Sequence, residues 1–180
     1  FSDQLLTAQG VSLADAAGSG MPANLSGDFG IYSVFEQKLY RVDKEEDDRG
    51  IGVFARVSSS PSDRNLIDLY ADAGVEWVGL SDLRPKDKFG IAAGYARVSS
   101  RAHALDVDFQ QLMGPNWPSR RFEQVTTAVY QYEVRSGWTL QPNLQYFVHP
   151  GGGATDPLGT NPGKFLKNAA VFGLRTVLKF

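Results

Sequence analysis

The fold is decided by the last stretch of the chain, which reads Asn168-Ala-Ala-Val-Phe-Gly-Leu-Arg-Thr-Val-Leu-Lys-Phe180. From Ala170 onwards every second residue is apolar except Thr176, whereas the positions between them carry both cations of the stretch. A period of two is typical of a β-strand, because successive side chains point to opposite faces. In a soluble protein such a strand would be an aggregation-prone edge. A closed barrel in a membrane has no edge and covers its apolar face with lipid, so the pattern favours a membrane barrel.

The composition excludes several classes of protein but does not separate a soluble β-protein from a barrel. The 180 residues include 18 Lys and Arg against 20 Asp and Glu, and this near balance argues against a nucleic-acid partner. No apolar run approaches the roughly 18–20 residues of a membrane helix, but barrel strands alternate and therefore have low mean hydropathy. The chain has no cysteine, which excludes a disulfide framework and thiolate chemistry.

Alternating apolar and polar residues predict about seven strands of roughly 8–14 residues each. The predicted strands are 29–41, 51–58, 69–80, 88–98, 122–135, 138–149 and 168–180. Residues 1–28 lack alternation. The apolar residues from Leu5 to Ala8 suit a short helix before glycines and Pro22 interrupt the chain, so we expect a long loop there. Residues 99–121 carry apolar side chains at helical spacing and predict a further short helix.

The connections between these strands are expected to alternate in length. Long ones precede residue 29 and occupy 59–68, 99–121 and 150–167, whereas short ones occupy 42–50, 81–87 and 136–137. Short turns on one rim and long loops on the other are typical of a transmembrane antiparallel β-barrel. Aromatic residues also recur at strand ends, where an interfacial girdle requires them: Tyr40, Trp77, Phe89, Trp138 and Phe180.

The odd number of strands has a further implication, because bacterial single-chain barrels have even numbers. With the carboxyl terminus on the short-turn side, Phe1 lies on the long-loop side, and an odd number of strands has to precede it. We therefore expect residues 1–180 to form the carboxyl-terminal part of a single outer-membrane barrel domain. Residues 1–28 would be a long extracellular loop, and 29–180 would hold the strands and their connections.

Several runs of the sequence, taken in chain order, form a recognisable set. They are Gly30-Ile-Tyr-Ser-Val-Phe-Glu-Gln37, Val53-Phe-Ala-Arg-Val57, Pro61-Ser-Asp-Arg-Asn65, Asp68-Leu-Tyr-Ala-Asp-Ala-Gly74, Leu140-Gln-Pro-Asn-Leu-Gln-Tyr-Phe-Val-His-Pro-Gly-Gly152 and Gly173-Leu-Arg-Thr176. Together they extend over most of residues 28–180 and resemble the carbohydrate-selective porins, the OprB-like sugar porins. The first seven residues of the run that begins at Leu140 are the most specific part.

The resemblance implies a roughly sixteen-stranded outer-membrane channel that passes mono- and small oligosaccharides by passive diffusion, with this chain supplying its carboxyl-terminal strands. It implies as partners the sugars, outer-membrane lipid and lipopolysaccharide, the remaining strands of the same barrel and the barrel-assembly machinery. That machinery reads the last strand, so Phe180 and Leu178 are expected to act as the assembly signal. The family's constriction draws its charged residues largely from other strands, and Glu36 stands where an Asp is expected.

Charged side chains are expected to share the strand faces opposite the apolar residues, and in a barrel that side is the lumen. The candidates for the substrate path are Glu36, Lys38, Arg56, Asp72, Glu76, Glu123, Glu133, Arg135 and Arg175. Sugars are bound through hydroxyl hydrogen bonds and aromatic faces, so mixed charges together with Tyr or Phe suit a neutral polyol. The alternative for any one of these residues is general wetting of the channel and ion pairing between strands.

Other chemistry is not indicated by the sequence. His103 and His149 each lack Cys or a second His at ligand spacing, so we expect no metal site. The acidic turn 43–49 lacks the spaced ligands of a calcium loop, and Gly151-Gly-Gly153 does not lead from a strand into a helix as a phosphate cradle does. Since no nucleophile–base pairing is apparent, we expect neither a cofactor nor enzyme activity. Two alternatives to a sugar porin stay open: a soluble β-barrel or sandwich binding module, and a non-conducting outer-membrane scaffold.

Deletion of Phe180 should impair assembly far more than conduction. The ring falls on the apolar face with Leu178 and Phe172, and its burial contributes only about 2–3 kcal/mol, too little to decide the stability of a large barrel. We expect less channel in purified outer membranes by quantitative blotting, and unchanged conductance of the inserted channels in planar bilayers. Normal membrane levels with altered conductance would mean that Phe180 lies on the polar face.

Overall fold

A computed structural model describes residues 1–42, 48–79, 81–156 and 163–179 and shows an all-β chain with one α-helix. Its elements in chain order are β1 (Ser2–Thr7), β2 (Pro22–Asn24), β3 (Ile31–Arg41), β4 (Gly50–Ser59), β5 (Ile67–Val78), β6 (Lys88–Val98), α1 (Ser100–Met113), β7 (Phe122–Arg135), β8 (Trp138–Val148) and β9 (Ala169–Leu178). The seven predicted strands correspond to β3–β9 and agree to within two residues at each end. None of the described residues forms a helix with the length and apolar character needed to cross a membrane.

Strands β3 to β9 form one antiparallel sheet in which each strand pairs with its neighbours in sequence. Such a meander follows from the connections, because antiparallel neighbours can be joined by short turns. Within the described residues, β3 and β9 each pair on one side only, so the sheet has two open edges. Strands β1 and β2 form a separate two-stranded sheet.

Alternation divides the main sheet into an apolar face and a polar face. Leu144 on β8 lies opposite Phe172 on β9, and two positions away Pro142 lies opposite Leu174. The intervening pair is Asn143 with Gly173, which carries no large apolar side chain. Apolar residues of β8 therefore lie opposite apolar residues of β9. The register therefore confirms the predicted division of β8 and β9 into an apolar face and a polar face.

No layer formed by the described residues covers the apolar face. Phe172 is 74% exposed and Leu174 is 66% exposed, although both would be buried in a sandwich. Within the described ranges the buried apolar side chains are those of Val78, Val98 and Ala102, which are too few to form a hydrophobic core. A soluble β-sandwich, one of the alternatives left by the sequence, is therefore disfavoured.

Two irregularities in register move side chains to a face that alternation does not predict. Strict alternation from Lys38 would place Tyr40 on the polar face, but a bulge at the end of β3 sets Tyr40 opposite Ile51 on the apolar face. At the end of β7 a second irregularity sets Arg135 opposite Trp138. The register thus corrects the expected placement of Arg135 with the other charged residues, because one extra residue reverses the alternation beyond it.

The bulge before Tyr40 completes an aromatic row on the apolar face. Tyr40, Trp77, Phe89 and Tyr130 lie at one level of the sheet, connected by the cross-strand pairs between β3 and β7. The Trp77 and Phe89 rings stack with their centroids 5.3 Å apart. A row of aromatic rings at one level is what the interfacial girdle of a membrane barrel requires.

Residues 1–28 differ from the predicted loop with a short helix, because they contain β1 and β2. The Asp3 Oδ1 atom accepts hydrogen bonds from the N–H groups of Leu5 and Leu6 at 2.8 and 2.9 Å, while Ser2 and Thr7 at the ends of β1 lie opposite Asn24 and Pro22 of β2. The second expected helix is confirmed as α1. Its N-cap is Ser99, whose hydroxyl accepts a hydrogen bond from the N–H of Ala102 at 3.2 Å.

The connections follow the expected division into long and short ones only in part. The β4–β5 connection, expected to be long, covers 60–66 and is shorter than 42–49 and 79–87. The division therefore rests on the long connections after β6 and β8 and on the tight turn after β7. We call the end of the sheet with the two long connections the long-loop rim and the opposite end the short-turn rim. Three parts of the chain that the sequence analysis used lie outside the described residues: 43–47, 157–162 and Phe180.

Cysteine scanning would test the two faces, and the chain offers a cysteine-free background. With the protein in detergent or a bilayer, a water-soluble thiol reagent should label cysteines at Gln145 and Arg175 much faster than cysteines at Leu144 and Phe172. The reason is that lipid or detergent would cover the apolar face, whereas water reaches the polar face; a one-residue slip in register would exchange the two. Fast labelling at Leu144 and Phe172 with protection at Gln145 and Arg175 would overturn the assignment.

Candidate functional site on the polar face

Several of the charged residues predicted from the sequence come together on neighbouring strands. Arg56 on β4 lies opposite Asp72 on β5, and the register of the same strands brings the side chains of β3 alongside them. Lys88, which the sequence analysis missed, begins β6, and its Nζ lies 3.9 Å from Glu76 Oε1. We call this set the charged patch, and it consists of Glu36, Lys38, Arg56, Asp72, Glu76 and Lys88.

The centre of the charged patch is an ion pair between Arg56 and Asp72. The guanidinium donates from Nε to Asp72 Oδ1 at 2.9 Å and from Nη2 to Asp72 Oδ2 at 2.5 Å. The Tyr70 hydroxyl donates to the same Oδ2 at 3.0 Å. The Asp72 side chain is 8% exposed and that of Arg56 is 54% exposed. Because a bidentate pair fixes the planar guanidinium, Asp72 orients Arg56 and Arg56 is the group presented to the open side.

The charged patch carries no net formal charge. Its carboxylates are those of Glu36, Asp72 and Glu76, and its cations are those of Lys38, Arg56 and Lys88. The ammonium of Lys38 also donates to the carbonyl oxygen of Asp48 at 2.8 Å, which ties the patch to the adjacent turn. Balanced charges exert little long-range attraction on ions, yet they offer both donors and acceptors to a neutral polar molecule.

The ring of Phe54 lies beside the ion pair, and the sequence analysis did not single it out as a site residue. Phe54 is opposite Glu36 on β3 and opposite Gly74 on β5. The guanidinium carbon of Arg56 lies 5.5 Å from the Phe54 ring centroid. A Cβ atom at Gly74 would lie 2.6 Å from Phe54 Cε1, so the ring occupies the space above this glycine. Gly74 was the available signal, because a glycine inside a strand often marks close approach of another group.

Between Lys88 and Val98 the polar face of β6 carries only small side chains. Gly90 lies opposite Glu76, Ala92 opposite Gly74, and Gly94 opposite Asp72. We call Gly90, Ala92, Gly94 and Ala96 the flat wall. It leaves open space next to the charged patch, into which the side chains of β4 and β5 lean; Tyr70 Oη, for example, would lie 3.5 Å from a Cβ at Gly94.

Two of the remaining candidates lie at the rims and have structural partners there. Glu123 Oε2 accepts a hydrogen bond from the N–H of Gly151 at 2.6 Å, at the long-loop rim. Glu133 Oε1 lies 3.3 Å from Lys86 Nζ, at the short-turn rim. Neither carboxylate belongs to the charged patch, and both connect a strand to a loop.

The last strands carry the other candidates. Arg175 lies on the polar face of β9, away from the charged patch. Arg135 has its guanidinium carbon 5.8 Å from the Trp138 ring centroid, which places it beside an aromatic ring of the apolar face. Leu178 lies opposite Trp138, and its expected part in assembly stays a prediction.

Most of the buried polar side chains of the described residues lie at the long-loop rim. Three aspartates there are buried, and each forms an ion pair with an arginine: Asp3 with Arg101 at 2.6 Å, Asp68 with Arg97 at 2.8 Å, and Asp106 with Arg120 at 2.8 Å. The first pair joins β1 to α1. Burial opposes ionisation of Asp3, but hydrogen bonds from Arg101 and from the N–H groups of Leu6 and Leu5 hold the pKa of Asp3 below its ordinary value.

Known proteins resemble this chain in sequence and in fold. The family described as "Carbohydrate-selective porin, OprB family" matches residues 1–180. Porin B of Pseudomonas aeruginosa is 29% identical over 111 residues, which cover 58% of this chain and 24% of Porin B. The high-pH structure of Pseudomonas putida OprB has a TM-score of 0.84 at 24% identity and covers 99% of this chain and 41% of that one. The chain thus spans less than half the length of these relatives, and the structural match shows a shared fold.

The Asp3–Arg101 pair predicts that β1 is held to α1 less firmly in acid. Because the pKa of Asp3 is lowered, the stabilisation is complete above about pH 4 and is lost as the pH falls through the lowered value. Asp3→Asn should weaken the attachment at neutral pH by about 1.5–3 kcal/mol, since it removes a charged hydrogen-bond acceptor. A spin label at an Ala8→Cys site should become mobile in the variant at neutral pH, and in the wild type only in acid.

The matched control for this experiment is Asp15→Asn, because Asp15 is exposed on the same segment. That variant should keep the wild-type mobility of the label at neutral pH. Equal mobility in wild type and Asp3→Asn at every pH would show that the pair does not hold β1.

Proposed function

The chain belongs to the carbohydrate-selective porin family OprB, and on that premise we propose that it supplies the carboxyl-terminal strands of an outer-membrane β-barrel through which sugars diffuse passively. The observation that carries the proposal is the uncovered apolar face of the main sheet, with exposed Phe35, Phe172 and Leu174, opposite a polar face with balanced charge. Lipid covers such an apolar face, and water fills the space on the other side. The outer membrane of a Gram-negative bacterium is where this arrangement is stable.

The open edges of the sheet call for further strands in this proposal. In the described part of the chain β3 and β9 each pair on one side only, and lipid cannot satisfy the backbone groups of an open edge. The remaining strands of the same barrel would pair with both edges and close it. Lipid and lipopolysaccharide would contact the apolar face, and the barrel-assembly machinery would read β9 together with Phe180.

A neutral sugar is the solute that the charged patch suits best. Lys and Arg side chains donate hydrogen bonds, carboxylates accept them, and a sugar hydroxyl can do both. The balance between Glu36, Asp72 and Glu76 on one side and three cations on the other leaves little field to select an ion. A passive channel needs contacts that are favourable enough to admit the solute and weak enough to release it.

Liposome swelling with the complete channel tests this proposal. Liposomes containing the channel should admit D-glucose faster than protein-free liposomes do. Glu36→Lys gives the charged patch a net positive charge and should raise D-glucuronate entry relative to D-glucose at least about twofold. The gain should shrink at about 1 M salt, where the Debye length is only ~3 Å.

The matched control is Gln145→Lys, which adds a cation to the polar face on β8, away from the charged patch. It should change the relative entry of the two sugars less than Glu36→Lys does. D-Glucose entry no faster than in protein-free liposomes would overturn the channel and favour the non-conducting scaffold.

A further inference from the structure

We infer that Phe54 is a stacking platform for the ring of a pyranose sugar, with Arg56 and Glu36 as the hydrogen-bonding groups at its edge. The inference rests on the proposed function, since it assigns a binding position within the proposed sugar path. It also commits to a chemical class: a closed sugar ring with one apolar C–H face, as opposed to an open-chain polyol.

The position of the Phe54 ring leaves part of the ring exposed. The ring extends across β5 above Gly74, where a Cβ atom would lie 2.6 Å from Phe54 Cε1 and 2.9 Å from the Cβ of Ala92. The ring therefore lies over Gly74 on β5, next to Ala92 of the flat wall. Phe54 is only half-buried, so part of the ring is exposed on the polar side of the sheet. A large side chain at position 74 would remove this seat.

Arg56 supplies donors next to the ring. Its Nε and Nη2 atoms are bound by Asp72, whereas Nη1 makes no hydrogen bond within the described part of the chain. The guanidinium carbon is 5.5 Å from the Phe54 centroid, and the side chain is 54% exposed. Asp72 and the Tyr70 hydroxyl thus hold Arg56 so that its unused edge lies beside the aromatic face.

Glu36 supplies an acceptor on the other side of the ring. It is the direct cross-strand neighbour of Phe54 on β3, and its side chain is exposed. Binding sites for small polar molecules combine an apolar or aromatic surface with a few placed donors and acceptors. The aromatic face, the Arg56 edge and the Glu36 carboxylate form this combination on one small area of the polar face.

The alternative is that Phe54 only fills space above Gly74. The two explanations differ in what they predict for polyols of equal polarity. A pyranose such as D-glucose presents several C–H groups on one face of its ring, and these can pack on the partly negative face of an aromatic ring. D-Mannitol carries hydroxyl groups on a flexible open chain and has no such face. A stacking platform therefore favours D-glucose, whereas simple space filling does not distinguish them.

Block of the ion current through the complete channel in planar bilayers measures the binding constants of both probes. In the wild type D-glucose should bind more tightly than D-mannitol. Phe54→Leu keeps an apolar side chain but removes the aromatic face. It should lower the association constant for D-glucose about fivefold or more. The D-mannitol constant should be nearly unchanged, and Phe54→Tyr should retain the preference for D-glucose.

A second variant displaces the ring without removing it. Gly74→Ala puts a methyl group 2.6 Å from Phe54 Cε1 and 2.9 Å from the backbone oxygen of Ile91, so the ring has to move aside and β5 has to shift slightly against β6. The D-glucose preference should then fall as in Phe54→Leu. This variant serves as the test if Phe54→Leu does not insert into membranes. The matched control is Phe147→Leu, which removes a half-buried ring from the polar face of β8, away from Arg56 and Glu36, and should leave both constants unchanged.

The outcomes separate the platform from the proposed function. A wild-type channel that neither admits nor is blocked by D-glucose would overturn the sugar channel itself. A channel that admits D-glucose, with equal constants in wild type, Phe54→Leu and Gly74→Ala, would leave the sugar channel intact and overturn the platform. Equal losses for D-glucose and D-mannitol would also overturn it, because they would indicate a change of channel width.

Discussion

Neighbouring strands of the main sheet are held in register by backbone hydrogen bonds, and every site on the molecule depends on that register. The pairing of Arg56 with Asp72 and of Phe54 with Gly74 follows from it directly. The same pairing leaves Leu144 and Phe172 together on the opposite face. Because side chains alternate with a period of two, a slip of one residue would exchange the two environments of every strand. The bulges near Tyr40 and Arg135 are therefore specific features, since each reverses the faces only at the end of one strand.

The two ends and the middle of the sheet are stabilised in different ways. At the long-loop rim, buried aspartates such as Asp3 and Asp106 are paired with arginines and connect β1, α1 and the loop before β7. In the middle, Arg56 is half exposed and its partner alone is buried. A buried, fully paired carboxylate costs much free energy to disturb, whereas an exposed cation can exchange water for another ligand. The rim thus holds its loops in place, and the middle of the polar face keeps groups available for binding.

Much of this arrangement could be predicted from the sequence, for reasons that individual residues make clear. Alternation around Leu144 and Phe172 predicts the strands and their faces because it is a property of a single strand. The bulge before Tyr40 could not be predicted in this way, since it depends on the partner strand. The strand β1 was missed because Leu5 and Leu6 stand side by side without alternation and its partner β2 lies further along the chain. Phe54 was missed as a site residue because its significance arises from Gly74, twenty positions away and on another strand.

The flat wall of β6 has a consequence for how related channels could differ in bore. Gly90, Ala92, Gly94 and Ala96 face the same side as the charged patch, and their small side chains extend little from the sheet, so that neighbouring side chains such as Tyr70 lean over them. In the proposed channel one strand would therefore regulate the clearance available to a solute, while β4 and β5 would provide its chemical contacts. Selection acting on this strand could narrow or widen the passage without altering a single charge. Size exclusion and chemical recognition would then evolve on separate strands, and a change in one would not require a compensating change in the other.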